Sequence, residues 1–175
     1  MNGELKPSEQ WLRAEDQGCF DERVARLEWL ASKAPRRQHW LFFGGWLNQQ
    51  LFEEARYCFV YGQFLSSAIL GFAFVERTLA AMFYASGRDD LERSTSKKLF
   101  REAQDEGWIS KEEFDLFEKA RKIRNPLTHF RTPVHEEQPE SRAFREGSEP
   151  YEVVEGDARQ ILEVVFRLVE RNAAG

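Results

Sequence analysis

Cysteine is scarce in this chain: Cys19 and Cys58 are the only two in 175 residues. Their wide separation matches no zinc or redox spacing, which excludes a disulfide framework and a cysteine-ligated metal. Free thiols suit a reducing compartment, so the expected location is cytoplasmic. Histidine is equally sparse, and His39, His129 and His135 form no cluster with metal-ligand spacing. No metal and no cofactor is therefore expected. No basic-then-apolar leader opens the chain, so secretion is not expected. Long uninterrupted apolar runs are missing too. The most apolar stretch, 59–85, is broken by Gln63, Ser66, Ser67, Glu76 and Arg77, which suits a buried helix and no membrane partner. Positive charge is in deficit, with 25 Lys and Arg against 30 Asp and Glu, for a net −5. That balance excludes a general polyanion binder and leaves room only for a local basic patch.

What is present is apolar sequence at helical spacing. The composition, 42% apolar and 31% charged, is that of a globular chain with enough length for a real core. Residues 1–20 read as a polar N-terminal extension with a short helix around Ser8–Asp16. Asp21 is a candidate N-cap for a helix from Glu22 to Lys33, with Val24, Leu27 and Leu30 inward and Pro35 ending it. Arg36, Arg37, His39 and Trp40 form a basic-aromatic cluster, read as a surface loop or a stacking contact to RNA. A helix is predicted over Trp46–Tyr61, and Gly62 breaks it. A core helix over Gln63–Ser86 follows, with the stripe Leu65, Ala68, Ile69, Phe72, Val75, Leu79, Met82 and Phe83. Glu76 lies beside that stripe. Its carboxylate needs a partner from another helix, and Arg121 or Arg124 are the candidates; the pair is either a plain cross-link or a device that orients a site arginine.

A helix over Arg93–Asp105 comes next. Ser110-Lys-Glu-Glu113 is a capping box and the firmest helix start in the chain. The acidic stretch 131–156, with three prolines, reads as an exposed loop, briefly extended at Tyr151–Val154. Asp157 then caps a final helix over 157–172, with Ile161, Leu162, Val165, Leu168 and Val169 inward. The expected fold is thus all-α, an up-and-down helical bundle. It is one domain over 1–175, with an extra N-terminal helical segment and a C-terminal helix after an acidic loop.

One stretch carries chemistry. Residues 119–131 hold five cations, with an amide, a hydroxyl and a histidine among them. On a helical wheel at about 100° per residue, Leu116, Ala120, Ile123, Leu127 and Phe130 form one face. Arg121, Asn125, Thr128 and His129 lie opposite, around Phe114, with Phe117 and Arg124 on the border. An aromatic amid the polar face argues that a partner, most simply a second copy, covers it at Phe114 and Thr128. Asn125 and His129 are one turn apart, so the amide can fix the imidazole tautomer. Arg124 and His129 share no face of a straight helix. The reach of arginine, a bend at Pro126, or a site built across two copies would bring them together.

Arg124-Asn-Pro-Leu-Thr-His129 resembles the Arg-Asn-x-x-x-His signature of the HEPN superfamily, small helical proteins many of which are metal-independent RNases. Residues 46–130 resemble the HEPN core: a helix, a long helix with an acidic residue, a connector, and a helix bearing the signature. The resemblance implies a homodimer whose paired motifs form one composite site. It assigns catalytic roles to Arg124, Asn125 and His129, with Glu76 as a weaker match. Pro126 departs from the pattern. The resemblance also implies a setting in defence or toxin–antitoxin biology, with a protein antitoxin or regulator as partner. The chemistry fits the residue types. A histidine base takes the RNA 2′-OH proton near neutral pH, and an arginine stabilises the phosphorane. Lys119, Arg121, Lys122 and Arg131 would hold the RNA backbone, with salt-sensitive affinity. The alternative is a non-catalytic interaction or assembly module of the same kind, in which Arg and His make only structural contacts.

Overall fold

The computed structural model describes residues 6–34 and 41–172; the basic-aromatic cluster and Pro35 lie outside them. Among the described residues the chain is all-α, without a strand. The helices are α1 (Pro7–Gly18), α2 (Phe20–Lys33), α3 (Gly45–Val60), α4 (Phe64–Ala85), α5 (Ser96–Asp105), α6 (Lys111–Thr128), α7 (Pro139–Glu146) and α8 (Pro150–Arg171), with one 3-10 turn at Asp89–Leu91.

Four of these form the central bundle, and α4 is its axis. Gly62, at φ 74°, turns α3 back onto α4, a left-handed conformation that glycine adopts without strain. Asn48 on α3 donates to Thr78 on α4 at 3.2 Å and to the Phe43 carbonyl at 2.6 Å, and accepts from Arg77 at 3.0 Å. This buried network satisfies an amide that is wholly inside. α6 runs antiparallel to α4: its Arg124 meets Glu76 and Phe72, while its start is tied by Glu113 to Arg171 at the end of α8. α8 runs parallel to α4. Tyr151 packs on Phe64 at one end and Asn172 reaches Met82 at the other. At the crossing, a Cβ on Gly71 would come within 3.1 Å of Ile161 and 3.5 Å of Val165, so the bare backbone of Gly71 sets how closely α4 and α8 approach.

The core helix is buried more fully than a single stripe requires. Phe64, Ser67, Gly71, Phe74 and Thr78 are buried along with Ala68, Phe72, Val75, Leu79 and Phe83, because α3, α6 and α8 enclose α4. Leu65, expected inward, is 53% exposed in its first turn. By length and composition α4 is also the one helix among the described residues apolar enough to cross a membrane.

Four sequence expectations need correction. The stretch 131–156 is not a loop throughout. Pro139 starts α7, where its missing N–H costs nothing in the first turn, and Gly147 closes it in the left-handed conformation. Tyr151–Val154 is helical, not extended, because Pro150 opens α8 seven residues before Asp157, with a capping box between Glu149 and Glu152. Asp157 is therefore no cap. It lies inside α8, 1% exposed, and accepts two hydrogen bonds from Arg142 of α7 at 2.8 and 2.9 Å. Burial pushes its carboxyl above the ordinary value, against the pull of that guanidinium. At the N-terminus, α2 begins at Phe20 with Cys19 as its boundary residue, so Asp21 sits in the first turn, not at the cap.

Candidate functional site

The candidate site grows from α6, and its start is built as the sequence indicates. The Ser110 hydroxyl accepts from the Glu113 amide at 3.1 Å and Glu113 accepts from the Ser110 amide at 2.8 Å. Burial alone would raise the Glu113 carboxyl, but the Ser110 amide and the Arg171 guanidinium hold it below the ordinary value. From there Phe117, Ala120, Ile123 and Pro126 are buried. The inward face is thus rotated from the one drawn on the wheel. Phe130, placed inward, lies beyond the helix and is 87% exposed. Phe114, placed in the middle of the outer face, packs partly against the chain's own core, with the Lys111 ammonium 5.3 Å from its ring centre. The open aromatic that argued for a covering partner is therefore already covered in part. Thr128 is exposed and turns its hydroxyl back to the Arg124 carbonyl at 3.4 Å.

Arg124 does what the sequence asked of one of two arginines. Its Nη2 donates to Glu76 Oε1 at 2.8 Å, joining α6 to α4. Its guanidinium carbon lies 4.5 Å from the Phe72 ring centre. Phe72 is fully buried, so the cation rests on the core at its edge. The other candidate, Arg121, is committed elsewhere. It pairs with Glu118 at 2.8 Å, which lowers the Glu118 carboxyl below its ordinary value and raises the arginine.

Asn125 turns to Arg121, not to His129. With its amide placed to satisfy both groups, it donates to the Arg121 carbonyl and accepts from Arg121 Nη1, each at 3.2 Å. The expected Asn125–His129 hydrogen bond is not formed, because the His129 backbone has left the helix (φ −123°, ψ 128°). Only its N–H looks back, to the Asn125 carbonyl at 3.0 Å. The His129 side chain is exposed and makes no hydrogen bond among the described residues. Within one chain, then, Arg124 and His129 are not brought into contact.

The cations expected to hold RNA divide into two kinds. Lys119 and Lys122 are exposed and make no ion pair among the described residues. They line a cleft of about 580 Å³ between α6 and α7, with Arg142 and Arg145 but also Glu136, Glu137 and Glu146. Arg131 is held by Glu137 at 3.8 Å, and its carbonyl accepts from Gln138 at 3.2 Å. The acidic segment thus folds back on the basic helix. His135 belongs to that segment and accepts from the Glu137 amide at 3.2 Å, a local turn contact. Sequence reasoning missed Phe72 as the platform for Arg124 and Arg142 as the partner of Asp157. Glu118 as the partner of Arg121 was missed too, although its spacing of three residues on one helix is a signal that could have found it. No group of three metal-ligating side chains occurs among the described residues.

Compared with known proteins, the chain matches no family model, no curated protein and no solved structure.

Proposed function

We propose that the chain is a HEPN-like, metal-independent endoribonuclease whose site is completed by a second copy. The observation that carries the reading is the pairing of a pinned arginine with a free histidine five residues later. Glu76 and Phe72 hold Arg124 in place, yet Glu76 engages only one of its five N–H donors. The rest of the fork is available to a phosphate. His129 stands open at the end of α6, able to act on a substrate that reaches it. In the proposed reaction, one His129 nitrogen takes the 2′-OH proton. The 2′-oxygen attacks phosphorus, and the bond to the 5′-oxygen breaks as that oxygen gains a proton. The products are a 2′,3′-cyclic phosphate and a 5′-hydroxyl. Arg124 stabilises the charge on the phosphorane. Asn125 acts through Arg121, holding a cation beside the site. Lys119 and Lys122 lie along the backbone path, and Glu136 and Glu137 compete with it. A cytoplasmic defence setting, with a protein regulator covering the acidic segment, belongs to the same proposal.

A second reading has one observation in its favour. The Arg124–Glu76–Phe72 contact joins two bundle helices and has a structural use without any substrate. In that reading the chain is an interaction or assembly module.

The test is cleavage of a labelled single-stranded RNA in EDTA by wild type, His129→Ala and Arg124→Lys. Cleavage by wild type alone, leaving cyclic phosphate ends and sparing DNA, is expected. Equal cleavage by wild type and His129→Ala refutes the assignment. Absence of cleavage by a folded dimer across structured and unstructured RNAs selects the assembly reading.

A further inference from the structure

α1 is a helix that buries nothing. Each of its residues except Glu9 is exposed, and its main contacts are with α2. Its two large apolar side chains, Trp11 and Leu12, are 64% and 56% exposed. Beside it runs a groove of about 1160 Å³, floored by Phe20, Val24 and Leu27 of α2 with Val60 and Tyr61 at the end of α3. Most of that floor is open: Phe20 is 57% exposed, Leu27 54% and Tyr61 45%. The chain's own α1 turns Arg13, Asp16 and Gln17 to the groove. Trp11 precedes Arg13 by two residues, about 200° around the helix, so it points away. An apolar groove and an apolar helix face thus lie side by side in one chain without meeting.

We propose that two copies exchange α1, each seating Trp11 and Leu12 in the other's α2–α3 groove. The area supports a second copy. A large aromatic side chain buries about 150–250 Å². At these exposures Trp11, Leu12, Phe20, Val24, Leu27 and Tyr61 leave on the order of 500 Å² of apolar surface per copy. Interfaces are about 57% apolar, so that amount corresponds to roughly 900 Å² per partner, against about 800 Å² per partner in a standard interface. Charge does not select the occupant: the rim carries Arg13 and Arg23 with Asp16 and Asp21, and the arginines already pair with Glu9 and Asp16. The exchange is reciprocal, so a two-fold axis closes it and no filament follows.

The place of the groove matters. Arg26 of α2 bonds the Val60 carbonyl at 3.4 Å and lies over the Phe64 ring, which fixes α2 at the start of α4. α6, antiparallel to α4, carries His129 toward that same end. A dimer formed by α1 therefore assembles at the end of the bundle where His129 stands open. The exchange itself does not depend on the ribonuclease reading.

The test is the mass of the full chain by light scattering, for wild type, Trp11→Glu and Leu27→Glu. Both positions are exposed, and a native circular dichroism spectrum checks each fold. Wild type is expected as a dimer and each variant as a monomer, with dimerisation weakened about 30-fold or more. Mixing the two variants is expected to recover dimer in part, because an intact α1 from one then meets an intact groove in the other and one of the two exchanges is whole. A monomeric wild type overturns the proposal. So do variants that dimerise as wild type does, or a mixture that stays monomeric. His129→Ala remains a dimer in either case, so lost cleavage with a retained dimer concerns the ribonuclease reading alone.

Discussion

Removing the Arg124 guanidinium tests the joint between α4 and α6 apart from any catalysis. The pair is neither open nor sealed: the Arg124 and Glu76 side chains are 17% and 29% exposed, with 2.8 Å between the bonded atoms. Fully exposed ion pairs contribute about 0–1 kcal/mol, whereas breaking a buried pair costs about 3–5 kcal/mol. An intermediate site puts the Glu76–Arg124 coupling near ~1 kcal/mol. The face of Phe72 adds about 0.5–1 kcal/mol of cation–π attraction, and the aliphatic stem of Arg124 covers part of the core edge. Arg124→Ala is therefore expected to cost about 2–3 kcal/mol, and Glu76→Gln about 1 kcal/mol. Urea unfolding followed by circular dichroism, on both singles and the double, gives the coupling directly. At this chain length about 1 kcal/mol moves Tm by about 2–4 °C. Arg124→Lys separates the terms, since it keeps the charge but loses the planar contact with Phe72; it should recover less than half the loss. An Arg124→Ala protein as stable as wild type, or a coupling near zero, refutes the joint. His129→Ala is the internal control. Its exposed side chain makes no hydrogen bond among the described residues, so stability should stay within about 0.5 kcal/mol.

Arg142→Ala should cost about 3–5 kcal/mol in the same unfolding assay, because Asp157 would be left as a buried charge without a partner; Arg142→Ala together with Asp157→Leu should recover much of it. Ser110→Ala removes one arm of the α6 capping box and should cost about 1 kcal/mol. Gly71→Leu should destabilise strongly, since even a Cβ there is tight against Ile161, and a loss under ~1 kcal/mol would mean that α4 and α8 are not closely crossed. Glu113 and Glu118 have carboxyls held below their ordinary value, so their stabilisation is present above the unfolded pKa of about 4.3 and is lost as pH falls through the lower folded values. Melts should therefore be insensitive to these two groups between neutrality and about pH 5, and the gap between wild type and Glu113→Gln should close in more acid solution. Glu136→Gln with Glu137→Gln should raise RNA affinity several-fold and steepen its salt dependence, by unpairing Arg131 and removing negative charge from the cleft that Lys119 and Lys122 line; unchanged binding would show that the acidic segment does not mask them.

The long helices were legible because their apolar periodicity and caps agree. α3, α4 and α6 begin and end within two residues of the sequence reading, and Ser110–Glu113 caps α6 as its spacing implies. Gly62 divides α3 from α4 because a positive φ was needed there. Residues 131–156 misled for a physical reason. Charge density and proline argue for a loop only when the prolines fall inside elements. Pro139 and Pro150 each occupy a first helical turn, where proline is favoured, so the same residues mark two helix starts. The role of Asp157 was hidden because a carboxylate before an apolar run reads as a cap. Only the fold shows that helix already exists upstream and that Arg142 lies across from it.

The site was harder to read because the wheel treated His129 as part of a helix. Two residues five apart on a straight helix diverge by about 140°, which left the reach of arginine, a bend at Pro126 or a site across two copies to bring Arg124 and His129 together. The bend is not the device. Pro126 sits in the last turn of α6, so the hydrogen bond it cannot make is the one to Lys122, and the helix ends two residues later. What the proline marks is a helix near its end. Arg124, before it, is still helical and faces α4. His129, after it, is the first residue outside and takes extended backbone, so its direction is no longer tied to the helix phase. The spacing therefore places one residue on the rigid side of a helix end and one on its free side. Glu76 and Phe72 fix the first. Nothing among the described residues fixes the second; in the dimer proposed above, a partner copy at this end of the bundle does so.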